Sequence, residues 1–323
     1  MTPVLILGHD DVLAALSPEE CADAMAEVLV AHARGEALMP LRSMVPFEGA
    51  AGFIATMPAW RGGEDPVFSL KSLVIAPGNP ARGLDTHQGT VTLFDGETGQ
   101  PRAILDASAV TAVRTAAVSA VATRLLARED ARVLATIGAG VQGRAHLNAL
   151  PPARAFDEVR VYSPSVEHAQ ALADGRAKVA PSAEEAVRGA DVVVLATTSR
   201  EPVISRDWLA PGVHVNAVGA SVPSARELDV ETVAACALYC DSRESLRNEA
   251  GEYRLALEQG AIAGEDHVRG ELGEVLAGMA PGRTGPEELT VFRSLGLAVE
   301  DLAAAERAVL RARALGVGTE VAL

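Results

Sequence analysis

One stretch near the middle of the chain constrains its fold more than any other. Arg132-Val133-Leu134-Ala135-Thr136-Ile137 reads as a strand, Gly138-Ala139-Gly140-Val141-Gln142-Gly143 follows, and a helical pattern begins at Arg144. In a strand–turn–helix of this kind the first glycine permits the tight turn. The second lets a pyrophosphate approach the backbone, and the third lets helix and strand pack closely. Free N–H groups and the helix dipole then favour phosphate at the turn. A second strand, Val159-Arg160-Val161-Tyr162, comes about 20 residues later, the spacing of a dinucleotide-binding unit.

That second strand runs into Ser163-Pro164-Ser165. A site selective for NAD usually places an acid there for the ribose 2′-hydroxyl. This turn has no acid, and Ser163 and Ser165 offer two hydroxyls to a 2′-phosphate, which leans toward NADP over NAD. The turn also lacks a basic residue, for which Arg144 or His168 are the candidates to substitute. Capping of the next helix is the plainer role for both serines and is compatible with either cofactor.

Further apolar runs at 158–162, 191–196 and 213–218 mostly alternate with helical stretches, which predicts a parallel sheet covered on both faces. The first hundred residues read differently. Ser17-Pro18-Glu19-Glu20 starts a helix that ends near Gly35. Residues 42–60 and 66–76 favour strands, and Val91–Phe94 and Arg102–Leu105 flank a hairpin turn at 95–100. A mixed or antiparallel sheet behind one helix is expected. An Ala-rich helix with Val110, Val113, Ala117 and Val121 on one face spans 107–127, and a last helix spans about 294–314. The expected class is α/β: a Rossmann-type, doubly wound parallel sheet at 116–295, inserted in a discontinuous α+β domain formed by 1–115 and 296–323.

With 323 residues the chain has room for two ordinary domains. Twenty-eight basic against 43 acidic residues give a net charge of −15, which disfavours nucleic acid and anionic lipid as partners. No uninterrupted apolar run reaches the ~18 residues of a membrane span. The start of the chain, with His9, Asp10 and Asp11 after Val4–Gly8, lacks the marks of a signal peptide. Three cysteines, Cys21, Cys236 and Cys240, fit reduced, buried thiols and a cytoplasmic setting. No further ligands stand near Cys236 and Cys240 in sequence, so no metal is expected.

Only two of the basic residues are lysines, Lys71 and Lys178. Lys71 interrupts the apolar strand Phe68–Ile75, on the face of Leu73 and Ile75. A buried ammonium there suits a carboxylate ligand or a proton donor; the plain alternative is an edge-strand lysine reaching solvent. Arg114 interrupts an almost uncharged helix, and its fork suits a carboxylate or phosphate; the plain alternative is pairing with Asp106 or Asp95. Arg42, after Met39-Pro40-Leu41, and His87, beside Asp85, are weaker candidates, the latter as a proton relay or a structural histidine.

These residues and others together resemble the ornithine cyclodeaminase and mu-crystallin family. The resemblance covers Met39–Arg42, Lys71, Thr86-His87-Gln88, Arg114–Ala117, Gly138–Gln142, Asn216–Ser221, Arg226–Asp229, Glu271–Val275 and Thr290–Asp301. It implies a homodimer that carries out nicotinamide chemistry at the C–N bond of a small imino or amino acid. It implies that Arg42, Lys71 and Arg114 are catalytic and hold the substrate carboxylate, with Ser221 and Leu295 beside the substrate. It places Thr86, Arg114, Thr115, Gly138, Gly140, Val141, Gln142, Ser163, Ser165, Thr197, Val218, Gly219 and Ser294 at the cofactor.

True ornithine cyclodeaminases resemble one another at a GGDCPGK stretch. Here Gly219-Ala220-Ser221-Val222-Pro223-Ser224-Ala225 stands there, with Ser221 for the Asp and Ala225 for the Lys. A serine neither holds an ammonium nor serves as a base near neutral pH as a carboxylate does. The local pattern is similar to the ketimine reductase branch, which makes imine reduction, or amino-acid oxidation, the expected reaction. An ammonia lyase using NAD catalytically, and a ligand-binding protein without turnover, are the alternatives. Arg293, where a lysine is common, and Pro164, where a basic residue often follows the serine, are smaller departures.

Overall fold

The computed structural model describes residues 3–322. Residues 1, 2 and 323, at the ends of the expected outer domain, lie outside the described residues. The chain forms two compact units, Met1–Arg114 with Gly296–Leu323, and Thr115–Leu295.

The first unit is built on an eight-stranded mixed sheet. In chain order it contains β1 (Val4–Leu7), α1 (His9–Ala15), α2 (Pro18–Ala33), β2 (Ala37–Leu38), β3 (Ser43–Pro46), β4 (Phe53–Arg61), β5 (Val67–Ile75), β6 (His87–Asp95) and β7 (Pro101–Asp106). Strands β4 to β7 form an antiparallel meander. β1 joins β7 in parallel, and the C-terminal strand pairs with β1. Alternation along β5 buries Val67, Ser69, Lys71 and Leu73 and exposes Phe68 and Val74, as a sheet covered on one face requires. Ser17 caps α2 by accepting from the Glu20 N–H at 3.2 Å, with Pro18 as the first helical residue.

Helix α3 (Ala107–Leu126) carries the chain out of this unit. By length and composition alone it is apolar enough to cross a membrane, although polar residues such as Ser108, Thr111 and Arg114 break its apolar runs. Within the fold 78% of its span is buried, so its apolar character serves core packing.

The second unit holds β8 (Val133–Ile137), α4 (Val141–Ala153), β9 (Glu158–Tyr162), α5 (Val166–Ala173), β10 (Lys178–Val179), α6 (Ala183–Val187), β11 (Val192–Leu195) and β12 (His214–Ala217). It continues with α7 (Val230–Ala235), β13 (Ala237–Cys240), α8 (Arg243–Glu249), α9 (Gly251–Glu258), β14 (Val268–Glu271), α10 (Leu272–Leu276) and β15 (Thr290–Arg293). The strands order as β10-β9-β8-β11-β12-β15-β13-β14, all parallel. β11, β12, β13 and β15 are buried at every residue, as strands covered on both faces are. The chain steps from β8 to β9 on one side and returns to β11 on the other. The end of β8 is therefore the topological switch point, where ligands of such sheets bind.

The last helix returns to the first unit. It is α11 (Ala298–Leu315), followed by β16 (Thr319–Val321). It starts four residues later than the sequence pattern indicates, because Gly296 adopts φ +80° and breaks the helical path before Leu297. α11 and α2 pack on each other, and α11 lies against β4, β5 and β6, so the sheet has more than the one helix expected behind it.

Candidate active site

The cationic side chains belong to the first unit, and one short segment anchors all three. Lys71 stands on the covered face of β5, in the interior of the sheet and not on an edge, and is 2% exposed. Its Nζ donates to Asp301 Oδ1 at 3.1 Å. Arg114 donates from Nε to the same oxygen at 3.0 Å and from Nη1 to Glu300 Oε2 at 2.9 Å. Arg42 donates from Nη2 to the Gly296 carbonyl oxygen at 2.7 Å. The plain alternative of Arg114 pairing with Asp106 or Asp95 is thus corrected: Asp106 accepts from His9, and Asp95 from Arg102.

The cations act on one another and on His87. Burial pulls the Lys71 ammonium down to about 8; Asp301 opposes this, while Arg114 and Arg42 add to it. Burial would raise the Asp301 carboxyl, but Lys71 and Arg114 hold it below its ordinary value. The His87 imidazole is pushed down from its ordinary value by lost hydration and then by the Lys71, Arg114 and Arg42 charges. The three cations thus converge on Gly296–Asp301, Lys71 and Arg114 buried and Arg42 half-buried.

The second unit gathers the other candidates at one edge. Gly138, Gly140, Val141 and Gln142 follow β8; Ser163 and Ser165 follow β9; and Thr197 follows β11. Val218, Gly219 and Ser221 follow β12, and Ser294 and Leu295 follow β15. These five strands are consecutive in the sheet, and all of these residues lie at their carboxyl ends. Thr115 lies in α3, away from that edge in sequence, and is buried. Thr86 is in the first unit, where its carbonyl accepts from the Ala76 N–H.

The glycine turn fits a dinucleotide. Gly138 has φ +111°, and a Cβ there would meet the Ala196 carbonyl oxygen at 2.3 Å. A Cβ at Gly143 would meet the Gly138 oxygen at 2.1 Å, while one at Gly140 would meet nothing within 4 Å. Gly140 stands at the N-cap of helix α4, which therefore has no side-chain cap, and there is no acid in its first turn. Ser165, Ser182, Asp229 and Ser242 cap α5, α6, α7 and α8. Open space over Gly140 and uncapped N–H groups suit a pyrophosphate.

Buried charges fasten the loops of this edge. Glu227 Oε1 accepts from the Thr197 N–H at 2.7 Å and the Thr197 hydroxyl at 2.8 Å, and its Oε2 accepts from the Gly219 N–H at 2.7 Å. Arg293 donates to the carbonyls of Ala217, Ala220 and Ser294 and pairs with Glu252. Asp241 Oδ2 accepts from the Leu295 N–H at 2.6 Å. Sequence reasoning assigned no role to Glu227, Glu300 or Asp301. The signal for Glu300 and Asp301 is a pair of acids closing the uncharged run Ser294–Val299, whereas Glu227, between Arg226 and Asp229, does not stand out in a charged stretch.

Comparison with known proteins agrees with this architecture. The model of the ornithine cyclodeaminase/mu-crystallin family matches residues 4–315. Ketimine reductase mu-crystallin of Mus musculus is 41% identical over 275 residues, 84% of each chain. The structure of Thermococcus litoralis Δ1-pyrroline-2-carboxylate reductase in complex with NADH and L-proline is 36% identical. It superposes with a TM-score of 0.93 over 98% of this chain and 100% of that one. An archaeal alanine dehydrogenase dimer with bound NAD, 36% identical, gives 0.92 over 99% of each chain. A match across nearly every element, together with the glycine turn and the buried cations, leaves one assignment: the chain belongs to the ornithine cyclodeaminase/mu-crystallin family.

Proposed function

We propose that this protein is an NAD(P)H-dependent oxidoreductase acting on the C–N bond of a small imino or amino acid, of the ketimine or pyrroline-2-carboxylate type. The observation that carries this reading is the cluster of buried Lys71 and Arg114 with half-buried Arg42, all anchored on Gly296–Asp301. Its role is to take the substrate carboxylate, each charge-assisted contact contributing roughly 1.5–3 kcal/mol before desolvation. Ser221 and Leu295 stand beside the substrate, and Lys71 or a bound water supplies the proton that the nitrogen needs. Holding the carboxylate at fixed points orients the C=N carbon, and orientation supplies much of the rate. When bound, the nicotinamide supplies the hydride.

The first unit serves as the substrate and dimerisation domain, the second as the nucleotide domain. Gly138, Gly140, Val141 and Gln142 hold the pyrophosphate. Thr86, Arg114, Thr115, Thr197, Val218, Gly219 and Ser294 complete the cofactor contacts. Two hydroxyls after β9 suit NADP, but Ser165 is already engaged. Its oxygen accepts from the His168 N–H at 3.2 Å, and its hydroxyl donates to Glu167 Oε2 at 3.0 Å. That leaves Ser163 to face a 2′-substituent, beside a carboxylate that repels phosphate. This favours NAD(H), with NADP(H) as the second reading.

A second copy of the chain is proposed to cover the open face of the first unit's sheet. Ile54, Phe68 and Val74 are exposed there, with Leu70, Phe94 and Ile104 half-buried beside them. Such an apolar face marks an association surface, and the archaeal relative is a dimer.

The test is oxidation of NADH and of NADPH, in parallel, with cyclic ketimines such as Δ1-pyrroline-2-carboxylate and with keto acids plus amine. Turnover with NADH and slower turnover with NADPH is expected. Ammonia release from ornithine with catalytic NAD and no NADH build-up would replace the reductase by a cyclodeaminase. Tight cofactor binding without turnover on any of these would make it a binding protein.

A further inference from the structure

One carboxylate oxygen lies under two of the three cations. Asp301 Oδ1 receives both Lys71 Nζ, at 3.1 Å, and Arg114 Nε, at 3.0 Å, and Asp301 is 1% exposed. Its neighbour Glu300 is committed elsewhere: the Oε2 that takes Arg114 Nη1 also accepts the Leu297 N–H at 3.1 Å and so closes the start of α11. Asp301 is mounted on the first turns of the same helix, which fixes where its carboxylate stands.

The groups around Lys71 come from every neighbouring element. α11 brings Asp301, and Glu300 by way of Arg114. α3 brings Arg114, and the segment between β2 and β3 brings Arg42. β6 brings His87, with Asp85 before it. From α2, Cys21 lies near Arg114 and Glu300. The cross-strand partners of Lys71, Met57 on β4 and Val91 on β6, carry no charge. Among the described residues, Asp301 is the acid that touches Lys71.

We propose that Asp301 is the positioning residue of this site, aiming the Lys71 ammonium and the Arg114 guanidinium together through its one shared oxygen without itself touching the substrate. The inference rests on the reading of Lys71 and Arg114 as holders of the substrate carboxylate. Its consequence is that this carboxylate helps to keep Lys71 charged in a buried, doubly cationic setting. Without it, burial and the Arg114 and Arg42 charges act on the ammonium unopposed.

The chain's two lysines make the test direct. Lys71 is buried, whereas Lys178 is exposed and pairs with Glu158 at 3.0 Å. Labelling the full chain with 13Cε-lysine gives one signal for each, with Lys178 as the internal reference. Asp301→Asn should lower the Lys71 titration midpoint by at least one pH unit and leave Lys178 unmoved. The basic limb of kcat/KM for imine reduction should move to lower pH by the same amount. An Asp301→Asn protein with a wild-type melting temperature and an unmoved Lys71 midpoint would overturn the proposal.

Should that variant not fold, 15N-lysine labelling of the wild type gives a reading. A Lys71 NH3 signal that persists at neutral pH while that of Lys178 is lost to exchange supports the proposal, and equal exchange of the two overturns it. The titration needs no substrate. A wild type that reduces no imino acid would therefore overturn the proposed function alone, and an unmoved Lys71 the role of Asp301 alone.

Discussion

The backbone of Gly296 lies against the guanidinium of Arg114, so closely that a Cβ built on the glycine would stand 2.7 Å from both terminal nitrogens. Gly296 also holds φ +80°, and its carbonyl receives Arg42. Position 296 therefore joins a backbone requirement to the aim of two cations. Gly296→Ala should cost about 1–3 kcal/mol in stability from the left-handed backbone alone. It should also displace Arg114 and lower kcat/KM at least tenfold. Thermal melts and steady-state kinetics on the same preparation check both parts; an alanine variant with wild-type kinetics would show that Arg114 needs no such room.

Glu227 ties the loop after β11 to the loop after β12 through three hydrogen bonds, and it is fully buried. A Cβ at Gly219 would stand 2.1 Å from the Thr197 oxygen, so the two loops touch at that point. Glu227→Gln retains the shape but turns an NH2 toward one of the backbone donors. Leaving a buried donor unpaired costs about 1–3 kcal/mol. NADH affinity, read by fluorescence titration, should weaken roughly tenfold, since about 1.4 kcal/mol corresponds to that factor. Unchanged affinity would mean that these loops hold their shape without the carboxylate.

The nucleotide half of this fold is legible in the sequence because its signals are local. Three glycines between a strand and a helix define the turn, and Val192–Leu195 reads as a fully buried strand from composition alone. The burial of Lys71 and Arg114 is legible because a lone charge in an apolar run stands out. Their partners are not, since Glu300 and Asp301 lie 186 to 230 positions away in sequence. The nearer acids offered as partners, Asp95 and Asp106, serve Arg102 and His9. β13 escapes notice because it continues the small, apolar end of α7 without a polar break, and β15 because Thr290 and Arg293 leave only Val291-Phe292 as an apolar run. The later start of α11 depends on the conformation of Gly296, which sequence periodicity does not register.

Two buried histidines make stability depend on acid. His146 donates from Nδ1 to the Gln142 carbonyl at 2.7 Å and meets Ser119 Oγ at 2.9 Å; His214 meets Thr290 Oγ1 at 3.0 Å and Asn216 Oδ1 at 3.3 Å. Burial lowers His146 to about 4 and His214, with the Arg283 charge adding, to about 3. The unfolded chain takes up these protons near pH 6.5, and the folded chain only well below it. Stability should therefore fall as pH drops from about 6.5 toward 4, each histidine contributing up to about 1.4 kcal/mol per pH unit. Urea unfolding at pH 7.5 and pH 5 measures this, and equal unfolding free energies at the two would contradict it.

The central claim is that Arg42, Lys71 and Arg114 grip one carboxylate, and Arg114→Ala tests it most directly. The measurement is kcat/KM for NADH-dependent reduction of Δ1-pyrroline-2-carboxylate, with NADH affinity and melting temperature recorded on the same protein. The account predicts that kcat/KM falls by two orders of magnitude or more, well beyond any loss of NADH affinity, while the protein remains folded. A folded variant that turns over within twofold of the wild type would contradict it.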